Sequence, residues 1–156
     1  MPVAQTLRHY LSSHGVDYEV VRHQHTGSSM ETAEAAHIPG ERLAKAVLVE
    51  DDNGYLMVIV PSTHHVDLGV LHKTFERPLG LATEAELTKL FPDCEPGAMP
   101  ALGQAYGIAT VWDSALANEP EIYLEGGDHK LVIRVSGRRF RQLLADAPQG
   151  RFSHHL

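Results

Sequence analysis

A lysine lies near the start of an apolar run in RLAKAVLVEDDNG, residues 42–54. In a strand that begins here, Lys45 points to the same face as Val47 and Val49. One interpretation is a strand-end lysine whose stem covers apolar surface while its ammonium reaches water. The other is a cation in a cleft, because an ammonium with three donors can orient a carbonyl and stabilise developing negative charge. That would suit ester or acyl chemistry.

Two further stretches could bring backbone or side-chain groups to such a lysine. The stretch CEPGAMPALGQAYG, residues 94–107, contains three glycines and two prolines. It is therefore predicted to be a stiff loop with positions open to close backbone approach. In EIYLEGGDHKLVIRV, residues 121–135, Gly126-Gly127-Asp128 separates two β-like runs and precedes His129. Taken singly, the first stretch is equally a crossover loop and the second a hairpin turn.

The elements that must position these residues occur in mixed order. Asn53-Gly54 tolerates the positive φ angles of a tight hairpin turn. Ser28 with Glu31, and Thr83 with Glu86, have capping-box spacing. Helices are predicted over residues 3–14, after Ser28, from Asp67 through Phe75, after Thr83 and after Ser136. Strands are predicted over residues 18–22, 44–50, 55–60, 108–112, 121–125 and 131–135. This order favours an α+β fold or a mixed sheet over alternating β and α units, with residues 1–156 as one domain.

Composition narrows the function classes. The chain has 156 residues, 43% hydrophobic and 21% charged, which is typical of a globular protein. No run approaches the ~18 apolar residues of a membrane span, and MPVAQTLRHYLSSHG lacks the pattern of a signal peptide, so a cytoplasmic location without membrane contact is expected. The net charge of −7 argues against broad nucleic-acid binding, and no DNA partner is predicted. A local basic patch could still touch a phosphate backbone.

Histidines and the single cysteine suggest competing chemistries. Metal binding could draw on the imidazoles of His23, His25, His64, His65 and His72. However, no HExxH motif or cysteine pair is present, and His154-His155 lie at a terminus expected to fray. We therefore predict no metal and no other cofactor. Cys94 is interpreted as a core or loop residue, because its acidic neighbours disfavour a thiolate.

The three stretches together resemble one family. The lysine in RLAKAVLV, the loop PGAMPALG and the pattern IYLEGGDHKLVIRVSGRRF are similar to the YbaK/aminoacyl-tRNA synthetase-associated domain family. Its members are free-standing relatives of the editing domain of bacterial prolyl-tRNA synthetase, and the resemblance extends from about Tyr18 to Leu144. It implies a mixed, strongly curved, barrel-like sheet packed with helices.

The resemblance also implies roles for individual residues. The family's essential lysine falls on Lys45, and its substrate-binding loop opens at Gly97 and reaches its second glycine at Gly103. The loop residues between them that are expected to bind substrate are Ala98, Met99 and Pro100. The family's usual proline lies four residues after the first glycine, a place held here by Ala101. Glu125 stands where some members carry a small hydroxyl residue near the substrate, and His129 matches a histidine of the subgroup with the pattern Gly-Asp-His.

The activity that the resemblance implies is hydrolysis of the ester between a wrongly attached amino acid and the 3′ end of a tRNA. Lys45 would fix the substrate carbonyl or ribose, and backbone N–H groups of the glycine loop would stabilise the oxyanion. A water or the 2′-hydroxyl would take part in proton transfer, so no protein nucleophile is required. The expected protein is a trans-acting deacylase; the alternative is a non-catalytic member that binds a small ligand or an aminoacyl-tRNA synthetase.

Two further expectations concern the substrate. Positive charge concentrates near the last strand and helix, and Arg138 and Arg139 are predicted to contact the acceptor end of the mischarged tRNA; a solvated helix face is the other interpretation. Small amino acids are expected, because one methylene provides only ~1–3 kcal/mol of discrimination and editing must supply the rest. The predicted pocket wall combines Val47 with Met99, Pro100 and Leu102.

Overall fold

The computed structural model describes residues 3–156, which form five helices and two sheets. The helices are α1 (Gln5–Ser13), α2 (Ser29–Ala35), α3 (Leu68–Phe75), α4 (Glu84–Leu90) and α5 (Gly137–Leu143). The strands are β1 (Glu19–Arg22), β2 (Leu43–Asp51), β3 (Gly54–Pro61), β4 (His64–Val66), β5 (Gly80–Leu81), β6 (Ala109–Asp113), β7 (Glu121–Glu125), β8 (Leu131–Ser136), β9 (Gln149–Gly150) and β10 (Ser153–His155).

The larger sheet is mixed, as the sequence predicted. Its strands run in the order β1-β8-β7-β2-β3-β6-β9, and β5 pairs with β2 beside this path. The β2–β7, β3–β6 and β6–β9 pairs are parallel, whereas β2–β3 and β7–β8 are antiparallel. The two longest strands, β2 and β3, form the predicted hairpin at the centre, with Asp51 opposite Gly54. Every other strand of this sheet is therefore positioned, directly or through a neighbour, by that hairpin.

Four predicted helix starts are confirmed by their hydrogen bonds, whereas α1, predicted from residue 3, begins at Gln5 without a side-chain cap. The side chains of Ser28, Asp67 and Ser136 each accept a bond from the backbone N–H three residues later. Thr83 and Glu86 form the full reciprocal capping box at the start of α4. Each of these caps satisfies a donor that would otherwise lack a partner within the helix.

The two faces of β2 pack against different parts of the protein. Ala44 and Leu48 contribute to the large core, which also contains Leu7 of α1 and Phe140 of α5. On the opposite face, Leu43 packs with Ala33 of α2, while Val49 packs with Leu71 of α3. Lys45 lies between the part of β2 that α2 covers and the part that α3 covers.

The C-terminal tail is not frayed, so the expectation for His154 and His155 was wrong. Strand β10 pairs with β4, which places His154 opposite His65 and His155 opposite His64. The tail is held because the buried carboxylate of Asp113 accepts bonds from the Phe152 N–H at 2.8 Å and the Ser153 hydroxyl at 2.7 Å. The Phe152 ring is itself buried in the cluster beneath α3.

Candidate functional site

Lys45 is half-buried and already holds one partner. Its Nζ donates to the carbonyl oxygen of His64 on β4 at 2.7 Å. Burial lowers the pKa of Lys45 from its usual value near 10.5. Because an ammonium has three donors, at least one N–H remains for another molecule after this contact. The chain thus fixes the stem and direction of Lys45 without using its full binding capacity.

The sheet register places Glu125 and Lys45 on the same face of the sheet. In the parallel β2–β7 pair, Leu43 lies next to Tyr123 and Ala44 next to Leu124. Extending that register by one residue places Lys45 next to Glu125, and alternation directs both side chains away from the large core. Two residues that the sequence separates by 80 positions therefore share one face of the sheet.

The glycine-proline loop is attached to the β7–β8 turn by two hydrogen bonds. The Glu95 N–H donates to the Gly127 carbonyl at 2.7 Å, and the His129 Nε2 binds the Pro96 carbonyl at 2.8 Å. Gly97 is the next residue in the loop and is exposed to solvent. Its φ of +84° is a conformation that a residue with a side chain would adopt only with strain. Within residues 3–156 its N–H contacts only the thioether sulfur of Met99, at 3.1 Å. Since a thioether is a weak acceptor, this N–H remains available for a stronger one.

His129 lies under the loop and not in open solvent. Its backbone is left-handed, with φ of 59°, and only 5% of the residue is exposed. The ring packs against Gly97, because a Cβ added there would lie 3.4 Å from Cε1 of His129. The Nδ1 atom faces Glu125 Oε2 at 3.8 Å. Both ring nitrogens are thus directed into the protein.

Glu125 is a buried acid with little to stabilise its charge. It is 1% exposed, and within residues 3–156 neither of its carboxyl oxygens has a hydrogen-bond partner. Burial raises the pKa of Glu125 to about 8; Asp128 adds to the shift and the Thr32 hydroxyl opposes it. The Thr32 hydroxyl bonds that of Thr26 at 2.6 Å, and both threonines are buried. Sequence reasoning missed these two threonines, since nothing in their spacing distinguishes them from helix-start residues.

The predicted pocket wall is not assembled as the sequence suggested. Met99 and Leu102 belong to the large core, whereas Val47 packs on the other face of β2 against the cluster beneath α3. Ala98 and Pro100 are buried within the same loop. Gly103 lies apart from His129; a Cβ there would meet Thr110 Oγ1 at 2.3 Å, so its smallness permits packing against β6. The strand alternation that puts Lys45 and Val47 on one face leaves the buried loop side chains on the other.

Arg138 and Arg139 are exposed in the first turn of α5, and Arg139 donates to the Gln142 side chain at 3.0 Å. In the sequence they come just after Ser136, and Ser136 lies at the end of the β7–β8 hairpin that is farther from Glu125. Between the Glu125–Val132 pair and the Glu121–Ser136 pair, β7 advances four residues, about 13 Å. A molecule that touches Lys45 and these arginines must therefore extend well beyond the site. Nearer to the β7–β8 turn lie exposed Arg22 and Lys130, which line a 420 Å³ cleft with Glu95 and Asp128.

Among residues 3–156, no three His, Cys, Asp or Glu side chains are arranged to hold a metal ion. No helix in that range is both long and apolar enough to cross a bilayer. Cys94 sits in the loop, where burial raises the pKa of its thiol to about 12. The site therefore consists of an ammonium, backbone donors and a buried acid paired with an imidazole.

Comparison with known proteins shows the family. A family model described as an aminoacyl-tRNA editing domain matches residues 23–143, which include every residue of this site. The chain belongs to the aminoacyl-tRNA editing domain family. The sequence matches no curated protein.

Solved structures share the fold of this editing domain. A proposed trans-editing enzyme for prolyl tRNA synthetase superposes with a TM-score of 0.85 at 22% identity, over 99% of this chain and 98% of that one. The hypothetical protein APE2540 gives 0.84 at 18% identity, over 96% and 100%. A proposed signal transduction protein from Marinobacter aquaeolei VT8 gives 0.74 at 24% identity, over 95% of this chain and 30% of that one. These likenesses establish the architecture, and the function has to be argued from the site.

Proposed function

We propose that this protein is a trans-acting deacylase that hydrolyses the ester between a small, wrongly attached amino acid and the 3′ end of a tRNA. The observation that carries the proposal is a series of contacts that links two kinds of donor through Glu125 and His129. Lys45 follows the paired residue Ala44 on β2 as Glu125 follows Leu124 on β7, Glu125 faces His129 at 3.8 Å, and the His129 ring packs against Gly97. Lys45 keeps unused N–H groups, and the Gly97 N–H can exchange its weak thioether contact for a stronger acceptor. Family membership supplies the class of substrate.

The chemistry follows from these groups. Lys45 holds the ester carbonyl or the terminal ribose, and water attacks the carbonyl while the 2′-hydroxyl or a second water takes part in proton transfer. The N–H of Gly97 exchanges its weak thioether contact for the oxyanion that forms and stabilises it. The tetrahedral intermediate then collapses with release of the ribose oxygen, which yields the free amino acid and the tRNA. A fixed donor lowers the barrier because it requires no reorganisation as the charge develops.

The way in which a synthetase selects its amino acid indicates the size of the side chain that an editing site must accept. A synthetase rejects larger side chains sterically and fails mainly with similar or smaller ones, so an editing site is needed for small residues. We propose alanine, serine or threonine as the substrate. One tRNA charged separately with alanine, serine, threonine, proline, leucine and phenylalanine tests this. Release of leucine or phenylalanine faster than all three small residues contradicts the size proposal.

The tRNA body is proposed to contact basic residues around the site. Two double variants compare the candidate surfaces: Arg138→Glu with Arg139→Glu at the far end of the hairpin, and Arg22→Glu with Lys130→Glu beside the turn. The surface that touches phosphates should show a higher KM, a flatter salt dependence and little change in kcat. If neither double variant changes KM, the RNA surface lies elsewhere.

The decisive experiment is the deacylation panel itself, with Lys45→Ala as the control. Loss of ester hydrolysis in that variant, with wild-type secondary structure, is the expected result. If the wild-type protein releases none of the six amino acids while its melting curve is normal, the enzymatic proposal fails. A non-catalytic role in binding a small ligand or a synthetase is then the better description.

A further inference from the structure

Four buried polar side chains meet beneath the loop that carries Gly97. We call Thr26, Thr32, Glu125 and His129 the buried polar cluster; each is at most 8% exposed. The two hydroxyls bond one another at 2.6 Å. Within residues 3–156, Nδ1 of His129 and both oxygens of Glu125 have no hydrogen-bond partner. Buried polar atoms are rarely left unpaired, so three at one place require a physical reason.

The position of one hydrogen follows from the contacts of His129. The Pro96 carbonyl, 2.8 Å from Nε2, can only accept a hydrogen bond, so Nε2 must carry a hydrogen. In a neutral ring Nδ1 is then a bare acceptor, and it faces Glu125 Oε2 at 3.8 Å. A carboxylate has no hydrogen to offer this atom, whereas a carboxylic acid does. A small rotation of either side chain would shorten the gap to a hydrogen bond.

We propose that Glu125 and His129 share one proton and act as a positioning unit for the Gly97 loop. In this arrangement neutral Glu125 donates to Nδ1 of His129, and the Nε2–H of His129 holds the Pro96 carbonyl. Gly97, the next residue, is thereby held in its left-handed conformation against the His129 ring. The pairing itself is independent of the proposed deacylase function, and only its effect on catalysis rests on that function.

The neutral form of the pair is favoured over an ion pair by its surroundings. Two opposite charges buried together lose more hydration than their attraction returns unless further hydrogen bonds satisfy them. Within residues 3–156 neither Glu125 oxygen has a hydrogen-bond partner, and the Thr32 hydroxyl, which favours the charged form, does not outweigh burial. Burial raises the pKa of Glu125 to about 8, and Asp128 in the adjoining turn acts in the same direction. His25, whose ring lies 5.6 Å from that of His129, is itself 3.4 Å from Glu95. Lys45 is the cation that the sheet register brings to the same face.

The charge of Glu125 determines what happens above neutral pH. When Glu125 loses its proton to solvent, it can no longer donate to Nδ1. Its carboxylate then faces a ring nitrogen that carries no hydrogen, and the ring turns away. A turned ring releases the Pro96 carbonyl and frees the Gly97 segment. The loop is therefore held firmly below the pKa of Glu125 and loosens as the pH rises through it.

The first test uses the protein without substrate. Nitrogen-15 and carbon-13 NMR spectra are recorded between pH 5 and 9 for wild type, Glu125→Gln and the control Glu121→Gln, which removes a partly exposed carboxylate from the same strand. In wild type we expect the Nε2–H tautomer of His129 at neutral pH, a midpoint near pH 8 for the Glu125 carboxyl, and a change in the His129 ring signals that follows the ionisation of Glu125. That change should vanish from the His129 ring in Glu125→Gln and persist in Glu121→Gln. A Glu125 carboxyl that titrates near pH 4.5, or a His129 ring that ignores it, overturns the proposal.

The second test measures deacylation against pH, after subtraction of uncatalysed ester hydrolysis. Wild-type kcat should fall as the pH rises through about 8, where Glu125 ionises. Glu125→Gln still offers an N–H to Nδ1, so at pH 7 it should lose less than threefold in kcat and show no alkaline fall. Glu125→Leu has no donor and should lose at least tenfold in kcat with little change in KM. Equal losses in the Gln and Leu variants, or an unchanged alkaline fall in Glu125→Gln, contradict the positioning role.

The two tests distinguish the proposed Glu125–His129 pair from the proposed deacylase function. If no charged tRNA is hydrolysed but the NMR midpoints coincide, the pair stands and the deacylase proposal fails. If hydrolysis is observed but the midpoints do not coincide, the deacylase stands and the pair fails.

Discussion

Glu125→Gln is expected to make the stability of the protein less dependent on pH and to raise that stability at neutral pH. The folded protein holds a proton on Glu125, whose pKa burial raises to about 8, while the unfolded chain has the usual value of 4.5. Between these values the folded state binds more protons than the unfolded state. The free energy of unfolding must therefore fall as the pH rises, with the full contribution of this group present only below the unfolded pKa. Glutamine cannot ionise, so the free energy of unfolding of Glu125→Gln does not fall with pH through this group.

The size of the effect follows from the two pKa values. Each pH unit between them removes about 1.4 kcal/mol from the free energy of unfolding. From pH 4.5 to pH 7 the wild type should lose about 3 kcal/mol relative to Glu125→Gln. A folded pKa of 7 in place of 8 would hardly change this figure, because the pH window ends at 7. For a domain of this length, that corresponds to a relative shift in Tm of roughly 6–12 °C.

The assay is urea unfolding of wild type, Glu125→Gln and Glu121→Gln at four pH values from 4.5 to 7. The difference between wild type and Glu125→Gln should widen steadily across the series, while Glu121→Gln should stay parallel to wild type. Glu125 is 1% exposed, so solvent screening should not reduce the effect appreciably. Parallel curves for wild type and Glu125→Gln, within about 1 kcal/mol, would refute the reasoning, since they would mean that Glu125 is charged in the folded protein at pH 7.

Three further substitutions test other contacts. Lys45→Ala should abolish deacylation but cost only about 1 kcal/mol in urea unfolding, because a single hydrogen bond to the His64 carbonyl is lost; a larger loss of stability would favour a structural role. Gly97→Ala should lower kcat at least tenfold, because alanine is strained at a φ of +84° and its Cβ would contact His129. The control Gly107→Ala has similar strain, at a φ of +70°, but its Cβ would lie in open space, so this variant should keep wild-type kcat. Equal kcat losses would remove the special role of Gly97. Asp113→Ala should destabilise the fold by about 3 kcal/mol, measured in urea, because two donors from the C-terminal tail lose their acceptor; a change below 1 kcal/mol would show that the tail is held by apolar packing.

Local sequence signals predicted the local structure well. Ser28, Asp67, Thr83 and Ser136 cap helices where their spacing placed them, because a cap depends on residues within one turn. The β2–β3 hairpin followed from Asn53-Gly54 for the same reason.

Long-range contacts were not accessible in that way. The bonds of Glu95 to Gly127 and of His129 to Pro96 join segments about 30 residues apart, and no periodicity marks them. Strand β10 is held by Asp113, about 40 residues earlier, so its sequence alone resembled a loose end. The assumed wall of Val47 and Met99 failed because sequence alternation gives the face of a strand but not the face on which a distant loop packs.

The same contacts explain why attack in the proposed hydrolysis is best assigned to water, with the substrate's own hydroxyl available for proton transfer. Burial raises the pKa of Cys94 to about 12, so its sulfur is a thiol and a poor nucleophile. Lys45 has committed one N–H to the His64 carbonyl, which directs its ammonium and suits it to hold a carbonyl oxygen. Glu125 is neutral at pH 7 when its pKa is near 8, and so cannot serve as a general base there. What these groups can do is fix an already activated ester between a cation and a backbone donor, and for such an ester positioning and charge stabilisation are worth several kcal/mol.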